Sequence, residues 1–233
     1  MPKYDIPKDY LIYQNFFPSK TDLYYFYRSR ESDTAKEKYN FAHKLYKRCP
    51  KNPLALSRFG TMTGDYKYMR CGHFDRDRLY ALNLLKRALP LFTDQELDLY
   101  KMITQNEIFF FSREYLKQYQ LGVKYSGTKP NFSKGVGACM HAISLLEKGK
   151  KARAKHYAKL ALSEWTKLNK ARKNKYKLNI YYMFTLAMNN KYEEANKIYN
   201  EIKVIEEELK TYPSYIMYLK CILVQIKINL EKT

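Results

Sequence analysis

Residues 149–165 read GKKARAKHYAKLALSEW, and the spacing within them decides the fold. Ala154, Ala158, Ala161 and Trp165 fall at i, i+4, i+7 and i+11, which places them on one stripe of a helix. Three alanines on a stripe let a neighbouring helix approach closely, while Lys151, Lys155 and Lys159 carry their charge into water on another face. This is a packing helix. The same small-large-small register recurs along the chain, so the stretch predicts a stack of similar helical hairpins.

Working outward, Ala35, Tyr39 and Ala42 repeat the register in TAKEKYNFAHKLYKR, residues 34–48. Ala81, Leu85 and Ala88 repeat it 46 residues further on, and Ala195 with Tyr199 follows Ala154 and Ala158 at an offset of 41. A weaker copy, Ser112, Leu116 and Tyr119, lies in the helical stretch 93–120. Four clear copies and one weak one make an internal repeat. Boundary signals agree with this layout. Ser19 or Thr21 caps a helix over 21–31, a second runs from near Asp33 to Cys49-Pro50, and Asn52-Pro53 opens a third over 53–70 with Gly64 near a break. Later pairs fall at 137–149 with 150–169 and at 175–190 with 191–210. Met1 to Pro18 is expected to lie extended against the first helices. Residues 122–137, GVKYSGTKPNFSKGVG, are dense in turn formers and are expected to form a hinge or exposed loop within a single helical repeat domain, 1–233.

Composition supports the all-α reading. Hydrophobic residues make up 45% of the chain and tyrosine alone contributes 24, which is incompatible with a disordered tail. Glycine and proline, eight each, are too few for the closely spaced turns of a β-sandwich.

The stretch Asn189–Ile202, NNKYEEANKIYNEI, resembles the second half of a tetratricopeptide repeat, with Asn190, Tyr192, Ala195 and Tyr199 at its turn, staple, small and large positions. Gly149, Ala154, Ala158 and Ala161 match the same pattern. The repeats here run longer than the family's 34 residues, and its first-helix tryptophan, leucine and glycine are mostly absent. The resemblance covers about two thirds of the chain and specifies no activity. It implies antiparallel hairpins stacked as a TPR-like α-solenoid, whose concave surface binds a protein or peptide. Placed on that frame, Lys177, Ile180, Phe184 and Met188 face the groove, although Phe184 and Met188 also suit ordinary core packing. The family's basic and asparagine clamp for a partner's terminal carboxylate is not visible.

The formal charge of +20 points to a second class of partner. Between Asn131 and Ile180 thirteen Lys or Arg face only Glu147 and Glu164, whereas acids cluster from Glu193 to Glu208. Lys148, Lys151, Lys155, Lys159, Lys170, Arg172, Lys173 and Lys175 are therefore candidate phosphate contacts for RNA or single-stranded DNA. Tyr157, Trp165, Tyr176 and Tyr181 are interleaved for base stacking. The competing explanation is compositional: Lys, Asn, Tyr and Ile have A- and T-rich codons, and lysines on a helix usually form a solvated face.

Catalytic and metal signatures are weak. Cys71, His73, Asp75 and Asp77 are the one concentration of metal-ligand types, but no second His or Cys lies near, and Asp75 or Asp77 reads better as a helix cap. His43, His141 and His156 have no carboxylate at a useful spacing, and phosphate-loop, nucleophile-elbow and zinc-protease motifs are missing. No catalytic residue, metal or cofactor is expected, and an enzyme ranks behind both binding readings. Cys49, Cys71, Cys139 and Cys221 are widely spaced, as in a reduced cytoplasmic protein. No secretory signal or membrane span is apparent. The segment 214–231 is apolar over much of its circumference, unlike a solenoid cap, and is a candidate homodimer contact.

Overall fold

A computed structural model describes residues 5–71, 74–208 and 213–231. Their regular structure is entirely helical, and the chain divides into two compact units, Met1–Ser112 and Arg113–Thr233.

The first unit contains α1 (Lys8–Leu11), α2 (Lys20–Glu31), α3 (Ala35–Arg48), α4 (Pro53–Met62), α5 (Asp75–Ala88) and α6 (Asp98–Phe111). Local chemistry sets the boundaries. The Ser19 hydroxyl accepts from the Asp22 backbone N–H at the start of α2, Thr34 and Glu37 form a reciprocal capping box on α3, and Asn52 caps α4 ahead of Pro53. Asp22 is itself buried. Its carboxylate accepts from Ser19 Oγ and from Arg48 Nε, tying the start of α2 to the end of α3. Residues 5–18 are not extended as the prolines suggested. They form α1 and a 3-10 turn, Gln14–Phe16, that lay Tyr10, Tyr13 and Phe16 on the core.

At the expected break near Gly64 the helix widens instead of stopping, continuing as a π-helical segment, Thr63–Arg70. Phe111 from α6 occupies the space above Gly64, where a Cβ would stand 2.0 Å from the ring. Asp75 and Asp77 do not cap α5. Phe74 holds the capping position without a side-chain bond, the two acids sit in the first turn near the positive end of the helix dipole, and Asp75 pairs with Arg78 at 3.0 Å. His73 lies outside the described residues, among which no group of potential metal ligands is found.

The stretch 93–120 is not one helix. It breaks at Ser112–Glu114, where Arg113 adopts φ 61°, and this break coincides with the boundary between the units. Ser112 thus lies in the break, and Leu116 and Tyr119 in the helix that follows it.

The second unit contains α7 (Tyr115–Ser126), α8 (Phe132–Glu147), α9 (Lys151–Ala171), α10 (Ile180–Met188), α11 (Tyr192–Glu208) and α12 (Pro213–Glu231). The stretch 122–137 is mostly helix, with irregular backbone confined to 127–131. Gly127, at φ 53°, turns the chain after α7, but the later glycines serve close packing: a Cβ on Gly135 would meet Trp165 Cε2 at 2.9 Å, and one on Gly137 would meet the Tyr119 backbone nitrogen at 2.6 Å. Because residues 135 and 137 project to opposite sides of a helix, α8 is gripped between α7 and α9. Lys134, 3% exposed, locks the same place. Its ammonium donates to the carbonyls of Gly127 and Lys129 and pairs with Glu164 at 3.3 Å.

The alanine stripe is buried as its spacing requires: Ala154, Ala158, Ala161 and Trp165 are each no more than 1% exposed. The 41-residue offset is structural. Gly149 and Asn190 both take positive φ, 70° and 61°, after α8 and α10. Lys150 N–H then bonds the Leu145 carbonyl, and Lys191 N–H the Leu186 carbonyl, each at 2.9 Å. Each is a Schellman close followed at once by the next helix. α10 packs on α8 and α9, and α12 on α10, α11 and also α8. This last contact skips a hairpin.

Candidate binding surfaces of the second unit

The proposed groove residues do not share a surface. Phe184 and Met188 are each 2% exposed and belong to the core, because α10 is only nine residues long and is covered by four neighbouring helices. Ile180 is half-buried at the start of α10, and Lys177 is exposed in the turn before it. The sequence expectation ran the helix back to Lys175. In the structure residues 172–179 form turns, with Lys173 and Asn174 at φ 50° and 67° and Asn179 capping α10 through the Tyr181 N–H.

Lys177 nevertheless borders a cleft that sequence reasoning missed. It measures about 220 Å³ and runs between α10 and α11. Leu178, Tyr182, Leu186 and Ile198 supply its apolar wall, and Lys177, Glu194, Lys197 and Glu201 its charged rim. Burial raises the Tyr182 phenol above its ordinary range, and the nearby Glu194 carboxylate adds to the shift. The signal was present in the sequence as an i, i+4 pair, Tyr182 and Leu186, facing Glu194, Ile198 and Glu201 one helix later. Only the pairing of the two helices shows that they face one another.

The basic candidates come together more fully. Lys148, Lys155, Lys159, Lys170, Arg172, Lys173 and Lys175 are exposed and Lys151 is half-buried, all on α9 or the turns at its two ends. Arg153 and Lys167 extend the same face. Of the two acids in this region, Glu164 is already committed to Lys134 and to the Asn131 N–H, so it does not offset the outer charge. Among the described residues, none of the exposed cations from Lys148 to Lys177 is ion-paired. The start of α9 is electrostatically unusual. α3, α5 and α11 place acids in their first turns, whereas α9 begins on Lys150, Lys151 and Arg153, each opposed to the dipole by about 0.3–1 kcal/mol. Arg153 and Lys148 also help burial push His141 below its usual pKa.

No family model, no curated protein and no solved structure matches the chain.

None of the aromatic partners expected for nucleic-acid bases is fully exposed, Tyr176 and Tyr181 being half-buried. Trp165 is wholly enclosed, with Phe132 at 5.5 Å and Tyr176 at 6.2 Å between ring centres. Tyr157 is half-buried and lies edge-on to His141 at 4.6 Å. Cys49 and Cys139 are buried free thiols, with burial pushing Cys139 up to about 12, whereas Cys221 is exposed on α12. The inner face of α12 is buried through Tyr215, Leu219, Leu223 and Ile226, while Met217, Cys221, Val224 and Ile228 form an exposed stripe. No helix among the described residues is long and apolar enough to cross a membrane.

The first unit holds a different kind of polar group. Arg58 on α4 donates from its guanidinium to the Ser29 carbonyl of α2, and burial lowers its pKa to about 10, with Arg30 contributing. Glu107 on α6 is raised to about 7, first by burial and then by the Asp65 carboxylate, against the opposing pull of Arg58. Arg58 bridges α2 and α4, and neither group lines the cleft described above.

Proposed function

We propose that the chain is a non-enzymatic binding scaffold whose TPR-like hairpins stack as an α-solenoid and hold a protein or peptide partner. The observation that carries this reading is the cleft between α10 and α11, set in a hairpin that repeats its predecessor turn for turn at a 41-residue offset. An apolar wall with paired charges of both signs on its rim suits a short extended peptide, whose side chains fill the wall while its charges meet the rim. The test uses a displayed peptide library to select ligands for the wild-type protein, followed by titration of the selected peptides against Ile198→Arg. Loss of about tenfold or more in affinity, with an unchanged circular dichroism spectrum, is the expected result. Equal affinity for both proteins would remove the cleft from the proposal.

A second reading has its own support. The unpaired cations along α9 and its flanking turns suit a polyanion, and nucleic acid is the polyanion proposed.

A further inference from the structure

We infer that the outer face of α9, with the turns at its two ends, is a phosphate-backbone interface for double-stranded nucleic acid. The inference deepens the second reading above and rests on it, replacing a single-stranded ligand with a duplex.

Charge complementarity comes first. Arg153, Lys155, Lys159, Lys167 and Lys170 share the exposed half of α9, and every other exposed position on that helix is Ala, Ser, Thr or His. The only acid on the helix is turned inward to the buried ammonium of Lys134. Further cations continue past both ends, in the turn before Lys151 and in the turn after Ala171. A 21-residue helix extends about 31 Å, so the cations form a line that can follow about nine base pairs of a duplex groove edge.

The chemistry of the face then separates the polyanions. Single strands are held by stacking their bases on a series of exposed large rings, and this face exposes only the small imidazole of His156: Trp165 is enclosed, Tyr157 is turned against His141 and Tyr176 is half-buried. A membrane surface calls for a row of apolar side chains beside the cations, and this face exposes a single large one, Leu178 in the turn after α9. A duplex keeps its bases stacked inside and presents a regular row of phosphates. Five to eight phosphate contacts of this kind give sequence-independent binding with a slope of log K against log salt of about −4.5 to −7.

The experiment titrates the full chain by fluorescence anisotropy against a mixed-sequence duplex of about 20 base pairs, made as DNA and as RNA, and against the matching single strands. Poly-glutamate and phosphatidylserine vesicles serve as competitors. Lys155→Glu, Lys159→Glu and Lys170→Glu are combined in one variant, and Lys36→Glu, Lys47→Glu and Lys86→Glu, exposed in the first unit, are combined in another. The expected result is duplex binding about fivefold or more tighter than strand binding, about thirtyfold weaker in the α9 variant and within about threefold of wild type in the other. If the α9 variant fails to fold, the Lys→Gln version at the same three positions carries the test. Strands that bind as tightly as duplexes, with the loss still confined to the α9 variant, would overturn the duplex assignment and leave the second reading standing. Equal losses in both variants, competition by poly-glutamate or vesicles as strong as by duplex, or no nucleic-acid binding at all would overturn both.

Discussion

The seam between α3 and α4 in the first unit and the seams around α8 in the second close the same kind of helix pair by opposite means. In the first, Phe59 is stacked by His43 at 5.0 Å and Tyr46 at 4.9 Å, with Tyr39 at 5.7 Å, so rings fill the space between the helices. In the second, Gly135, Gly137 and the alanine stripe remove side chains, and backbone or a single enclosed tryptophan fills the space directly. A ring-filled seam can absorb a change of volume by tilting side chains, whereas a seam in backbone contact has nothing to move except the helix.

That difference sets the order of expected effects. Trp165→Ala should be the most damaging, costing about 3–5 kcal/mol in urea titration, because it empties a fully enclosed site. Lys134→Ala should cost about 3 kcal/mol by the same measurement, since it strands the Gly127 and Lys129 carbonyls and leaves the largely buried Glu164 unpaired. Gly137→Ala should cost about 2 kcal/mol, because the new methyl meets the Tyr119 backbone nitrogen at 2.6 Å and only the helix can move. A cost near zero would break the contrast between the seams.

The smallest effect concerns charge in the first unit. Burial raises the Glu107 carboxyl to about 7 in the folded protein, above its ordinary 4.5, so its contribution to stability is present below about pH 4.5 and is lost as pH rises through about 7. Glu107→Gln should therefore raise stability at pH 8 by about 1 kcal/mol, discounted for the solvent that still reaches the half-buried carboxyl, and leave pH 4 unchanged. Thermal melts of both proteins across that range measure it. A wild-type stability that climbs between pH 5 and 7 through this residue would contradict the assignment.

The contrast also explains what was legible in advance. The alanine register, the helix starts near Ser19, near Asp33 and at Asn52 and the 41-residue offset could be read directly, because each pattern is set by residues within a few positions of one another. Gly122–Gly137 was misleading for the same reason. Glycine favours a turn when only its neighbours are considered, and its use against Trp165 and Tyr119 depends on residues brought in from other helices. The groove assignment failed similarly at Phe184 and Met188: an apolar residue on a first helix faces either a groove or the next layer, and its spacing is identical in both cases.

Local pattern was enough to establish that the chain is helical, where helices such as α2, α3, α9 and α11 begin and end, and that α9 carries charge on one side and small residues on the other. These follow from periodicity and capping, which act over one or two turns of chain. It took the packing of distant segments to show that the chain divides at Ser112, that Trp165 is enclosed, that Glu164 is spent on a buried lysine and that the exposed cations of α9 are left without ion pairs. Those outcomes depend on which surfaces meet at van der Waals distance, and residues far apart along the chain compete for the same space and the same charge.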